Sequence, residues 1–141
     1  MTHSNSTNKY KDRLVRMLSI DEIRDCLERF VDEGDVENVE KMFALLRNLV
    51  DDNNILIESR GDEIMQIVES HVNMPGLALG VRCQLNHVTI NLSNLPVGVM
   101  KICANNDLVR NIVLMFSDEN VHLKTQSSSI ILNLLRHSAT G

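Results

Sequence analysis

Apolar residues in this chain recur at intervals of three and four, in runs parted by short polar or glycine-containing breaks. That spacing gathers apolar side chains on one face of a helix. Over 21–31 the face is Ile23, Cys26, Leu27 and Phe30; over 36–51 it is Val39, Met42, Phe43, Leu46 and Leu49. Ser19 with Glu22 three residues on reads as a capping box opening the first of these helices, and Gly34-Asp35 ends it. A further helix is predicted from Lys9, with Tyr10, Leu14, Met17 and Leu18 sharing a face. Residues 1–8 show no period and read as a solvated tail.

The same layout then returns twice. Leu46-Arg47-Asn48-Leu49, Leu92-Ser93-Asn94-Leu95 and Ile131-Leu132-Asn133-Leu134 each close an apolar run. They stand about forty residues apart, a period that marks stacked helical units. In the second unit a short helix over 55–59 leads to Gly61, where a sharp turn is expected. Residues 62–68 repeat the acids and apolar residues of 21–27, and after Pro75-Gly76 a long helix is predicted over 81–95. Ile90-Asn91-Leu92 offers a register three residues earlier; Asn94 is preferred because it aligns Val88, Leu92 and Leu95 with Met42, Leu46 and Leu49. In the third unit Pro96 stops the helix, 97–103 forms a short one, and Asn105-Asn106 takes the turn position of Gly61. A middle helix over 107–116 is predicted with Val109, Ile112 and Val113 inward, then a long one over 123–137 with Ser127, Ile131 and Leu134 inward. The expectation is an all-α single domain over 9–138, with units at approximately 9–52, 53–95 and 96–138, a cap over 8–18, and a frayed end at 139–141.

These residues resemble armadillo repeats, in which a short, a middle and a long third helix make each unit, with a glycine before the middle helix and a Leu-x-Asn-Leu string closing the third. The resemblance covers roughly 19–138. It implies a right-handed superhelix of about three armadillo-like units, HEAT repeats being the near neighbour. It also implies a protein or extended peptide partner along the concave face, gripped by the third-helix asparagines. An amide both donates and accepts, so it matches a peptide group without reading its side chain. Carried over, Asn48, Asn94 and Asn133 form that ladder, and the same face presents Lys41, Ala44, His87, Ile90, Gln126 and Ser129 one and two turns back. The nuclear-import version of the fold has Trp where Ala44, Ile90 and Ser129 stand here, so import-signal binding is not implied. The catenin-type groove carries basic residues for acidic partners, and Lys41 and His87 are the matching positions.

Composition narrows the class. The chain has 141 residues, 43% apolar and 23% charged, with 3% aromatic and no Trp, so aliphatic residues and Met carry the core. The net charge of −5 and the absence of a basic run argue against nucleic acid, which needs a basic stripe. No apolar run approaches the ~18–20 residues of a membrane span. Cys26, Cys83 and Cys103 each sit among apolar residues without close pairing, which predicts buried reduced thiols, no metal site, and an intracellular home in cytoplasm or nucleus.

No nucleophile–base pair, HExxH-like spacing or phosphate loop occurs, so neither catalysis nor a cofactor is expected. His71 and His122 are placed in loops and His137 in the frayed end. Ser127-Ser128-Ser129 reads as helix packing. The expected role is a non-enzymatic adaptor, with a structural assembly subunit as the alternative. For the latter, the last helix is apolar on nearly all sides, and a terminal unit normally replaces that surface with polar residues. A homodimer through Ile130, Leu132 and Leu135 is the expectation, because a two-fold axis pairs one patch with itself.

Overall fold

The computed structural model describes residues 19–140, with side chains described through His137. They form seven helices: α1 (Ile20–Asp32), α2 (Val36–Val50), α3 (Asn54–Val72), α4 (Leu79–Ser93), α5 (Pro96–Cys103), α6 (Asn106–Phe116) and α7 (Val121–Thr140). No strand occurs among the described residues. The expected tail and cap over 1–18, and Gly141, lie outside them.

The polar breaks in the sequence are helix caps. Ser19 Oγ accepts from the Glu22 backbone N–H at 3.1 Å, and its hydroxyl donates to Glu22 Oε1 at 3.3 Å. Asp35, Asn53, Asn105 and Asn120 each accept in the same way from a backbone N–H three residues on, at 3.3, 3.1, 2.9 and 3.1 Å. Each satisfies a first-turn donor that the helix leaves without an internal partner. Asn105 therefore caps α6 with φ −104° and is not in the left-handed turn expected of it. Asn120 starts α7 at Val121, two residues before the expected Leu123, and α7 continues to Thr140 where fraying was expected.

The short and middle helices of the second unit run together as α3. The helix departs from regular geometry at Arg60 (φ −124°, ψ 21°), not at Gly61. Gly61 is instead buried, and a Cβ there would lie 3.3 Å from the Lys101 side chain. A stronger demand falls on Gly98 in α5, where a Cβ would sit 1.8 Å from the Leu92 carbonyl oxygen. Only the missing side chain lets α5 cross the end of α4 so closely.

Consecutive long helices lie side by side, α2 along α4 and α4 along α7. The middle helices follow one another too, α1 against α3 and α3 against α6, while α5 bridges α3, α4, α6 and α7. One apolar core runs through all seven, with Ile23 and Leu27 of α1, Phe43 and Leu46 of α2, Ile64 and Val68 of α3, Leu85 and Leu92 of α4, Ile102, Ile112 and Ile130. Phe43 is fully buried and meets the edge of the His71 ring at 5.1 Å between centroids. His71 is thus a core residue on α3, not a loop histidine. In α6 the inward positions are Leu108, Ile112 and Met115; Val113, expected inward, is 56% exposed. The thiols also differ from expectation: Cys26 and Cys83 are half-buried and Cys103 is exposed.

Candidate functional site

The adjacency of α2, α4 and α7 gathers the asparagine-bearing strings, and their side chains show what that face can do. Along the α4–α7 seam the polar groups pair with one another. Asn86 donates to Gln126 Oε1 at 2.9 Å, and Gln126 donates in turn to the Cys83 carbonyl at 3.0 Å. Further along, Asn133 donates to Ser93 Oγ at 2.9 Å and to Asn94 Oδ1 at 3.1 Å. A buried amide without a partner would cost more than the bond it makes, so these pairs specify register as well as adhesion. Between α2 and α4 the seam is chiefly apolar, and Arg47 reaches Gln84 at 3.4 Å.

The expected ladder residues therefore divide. Asn48 and Asn94 are exposed, Asn94 as the C-cap of α4, whereas half-buried Asn133 is already spent on Ser93 and Asn94. Gln126, expected on the face, is 4% exposed and belongs to the seam; the correction follows from its two hydrogen bonds to α4. Lys41 is exposed and pairs with Glu37 at 3.1 Å. Ile90 packs half-buried against the core, and the Ser129 hydroxyl turns back to the Thr125 carbonyl at 3.2 Å. Of the expected self-association residues, Ile130 is fully buried in the core and presents nothing to a partner. Leu132 and Leu135 are 60% and 61% exposed.

His87 on α4 is half-buried. Burial holds its pKa below the ordinary 6.5, and the charges of Arg47 and His122 push it the same way, against a smaller opposing pull from Asp51. Arg47 on α2 and His122 on α7 thus both act on His87 of α4, each from a neighbouring helix. Sequence reasoning assigned no role to Arg47, although it stands inside a quoted string, and put His122 in a loop. The usable signal was position: Arg47 precedes the exposed Asn48, and His122 follows the Asn120 cap.

Other chemistry is sparse. Burial raises the Cys83 pKa, Arg82 opposing and Glu40 reinforcing the rise, so this thiol is held away from its nucleophilic form. No group of three or more His, Cys, Asp or Glu among the described residues is placed to hold a metal ion. A groove of about 650 Å³ between α1 and α3 is walled by Glu28, Asp32 and Glu69 beside Arg24, with His71 at its edge. The His71 ring is committed to the Ile67 carbonyl at 2.6 Å through Nδ1. No described helix is long and apolar enough to cross a membrane. Comparison with protein-family models, with curated proteins and with solved structures finds no match.

Proposed function

We propose that this protein is a non-enzymatic interaction module of armadillo-like design, which holds an extended partner segment along the face formed by α2, α4 and α7. The observation that carries this reading is the side-by-side succession of the three long helices, with Asn48 and Asn94 left exposed on them and half-buried Arg47 next to Asn48 in sequence. Exposed amides pair with the backbone of an extended chain, and the Arg47 charge, joined by His87 when it is protonated, favours acidic side chains on it. Free thiols at Cys26, Cys83 and Cys103 fit a reducing setting, cytoplasm or nucleus. The test is fluorescence anisotropy with an unstructured glutamate-rich peptide. Asn48→Ala and Arg47→Glu each weaken its binding without lowering the melting temperature. Equal affinity for a glutamine-rich counterpart, or indifference to both substitutions, counts against the reading.

A second reading has its own observation. Leu132 and Leu135 on α7, with Val113, Leu114 and Phe116 on α6, are all more than half exposed. Exposed apolar side chains on two packed helices support an assembly surface, filled by a second copy or by a larger partner.

A further inference from the structure

We propose that the groove between α1 and α3, with the apolar cleft that adjoins it, binds a peptide segment of a partner protein that joins lysines or arginines to one leucine- or phenylalanine-sized side chain. The groove shares no residue with the set of Arg47, Asn48, His87 and Asn94, and it takes the opposite charge.

The groove presents acceptors. Glu28 and Asp32 of α1 and Glu69 of α3 wall it, and none of the three forms an ion pair among the described residues. The donors nearby are spent elsewhere. Arg24 is held by Asp21 and Asp25, each at 3.4 Å. Ser70 donates its hydroxyl to the Gln66 carbonyl at 2.7 Å, which leaves its oxygen lone pairs.

His71 adds a buried acceptor. It is 5% exposed, lines the groove, and sets Nδ1 2.6 Å from the Ile67 carbonyl. A carbonyl only accepts, so in the neutral ring Nδ1 carries the proton and Nε2 is a bare lone pair. No described group donates to Nε2. Among the described residues, Arg60 Nε alone is both sealed from solvent and without a hydrogen bond, so Nε2 is open to the groove that the ring lines. Such an acceptor gains more from a ligand N–H than one already in water does.

Val31 and Met74 wall both this groove and a cleft of about 150 Å³. Phe30, Val36, Val39, Leu77 and Val81 supply most of the cleft's remaining lining. An apolar cavity of about this volume takes a benzene-sized group, so the cleft matches one large apolar side chain. The groove, at about 650 Å³, has room for several residues.

Charge complementarity decides the occupant. Carboxylates without cations beside an acceptor nitrogen call for N–H donors, of which an ammonium offers three and a guanidinium five. No described group of three His, Cys, Asp or Glu is placed to hold a metal ion, so the cation that fits is organic. With the cleft sharing two walls, the basic and the apolar side chain belong to one segment.

The probe is a set of four fluorescent peptides, each with two adjacent lysines and a leucine one to four positions further on, in a glycine–serine background. By anisotropy with the full chain, at least one should bind about tenfold more tightly than its counterpart with serine for leucine, the effect of burying one such side chain. Serine for the lysines should weaken it as well. Glu28→Gln with Glu69→Gln should weaken it about fivefold, as the loss of two exposed ion pairs does. Arg47→Glu should not weaken it. At about pH 8, where an ordinary imidazole is neutral, nitrogen-15 resonances of the free chain should show His71 protonated on Nδ1, and the Nε2 resonance should move on binding. Failure of all four peptides overturns the proposal, as does equal binding of either serine counterpart or an Nε2–H tautomer. Binding that survives Glu28→Gln with Glu69→Gln undiminished lies elsewhere and overturns it too. Binding seen only after Lys9→Glu with Lys11→Glu gives the groove to the chain's own N-terminal segment, which also overturns it.

Discussion

Asn133 donates its side-chain amide to Asn94 Oδ1 at 3.1 Å, joining two of the three asparagines that close the long helical runs. The bond is a tie between neighbouring units, and it leaves Asn48 and the Asn94 amide nitrogen as the ladder groups turned outward. Asn94→Ala and Asn133→Ala should each cost about 0.5–1.5 kcal/mol in urea denaturation. The double variant should cost less than the sum, because both single changes remove the same bond. Strict additivity would deny the tie.

Gly98→Ala should be the most damaging small substitution in the chain. Its Cβ would fall 1.8 Å from the Leu92 carbonyl oxygen, so α5 or the end of α4 must shift. A loss of about 3 kcal/mol is expected, from the upper part of the overpacking range. Gly34→Ala meets nothing within 4 Å but must keep φ +69°, and should cost about 1 kcal/mol. Thermal melts of the two variants decide the order.

The Asn86–Gln126 pair predicts a polar core dependence. Asn86→Ala leaves Gln126 Oε1 without its donor at a buried site, which should cost about 1–3 kcal/mol. Asn48→Ala, at an exposed position, should leave stability unchanged within about 0.5 kcal/mol. Equal losses at the two sites would contradict the division between seam and face.

Stability should fall on mild acidification through His87. Its folded pKa lies below the ordinary 6.5, so in that window the unfolded chain holds more protons and stability rises with pH. The contribution is present above 6.5 and is lost as pH falls through the lower folded value. Urea midpoints taken from about pH 7.5 down to about 5.5 should decline, and His87→Gln should flatten part of that slope. An acidic ligand opposes the shift, so its affinity should strengthen over the same range.

Much of the fold was legible because helix periodicity and caps are local. Ser19, Asp35 and the polar breaks at Asn53 and Asn120 mark helix starts with chemistry that the neighbouring residues complete. The misplacements come from tertiary contact. Gly61 was read as a turn, but its role is room for Lys101, which lies thirty-nine residues from the neighbouring Asp62. Val113 and Ile130 are both apolar at helical spacing; only the packing of α6 and α7 puts one outside and the other in the core. For the site, Asn48 and Asn94 were visible in their strings. The burial of Gln126 was not, since it depends on Asn86 and the Cys83 carbonyl of another helix. Nor was the effect of Arg47 and His122 on His87, which arises only when three helices come together.

The most direct measurement is a titration of the isotopically labelled chain with an unstructured glutamate-rich peptide, followed by nuclear magnetic resonance. The account predicts shifts that start together at Arg47, Asn48, His87, Asn94 and His122, one continuous track over α2, α4 and α7. Shifts confined to α1 and α3, or to the exposed side of α6, would contradict it.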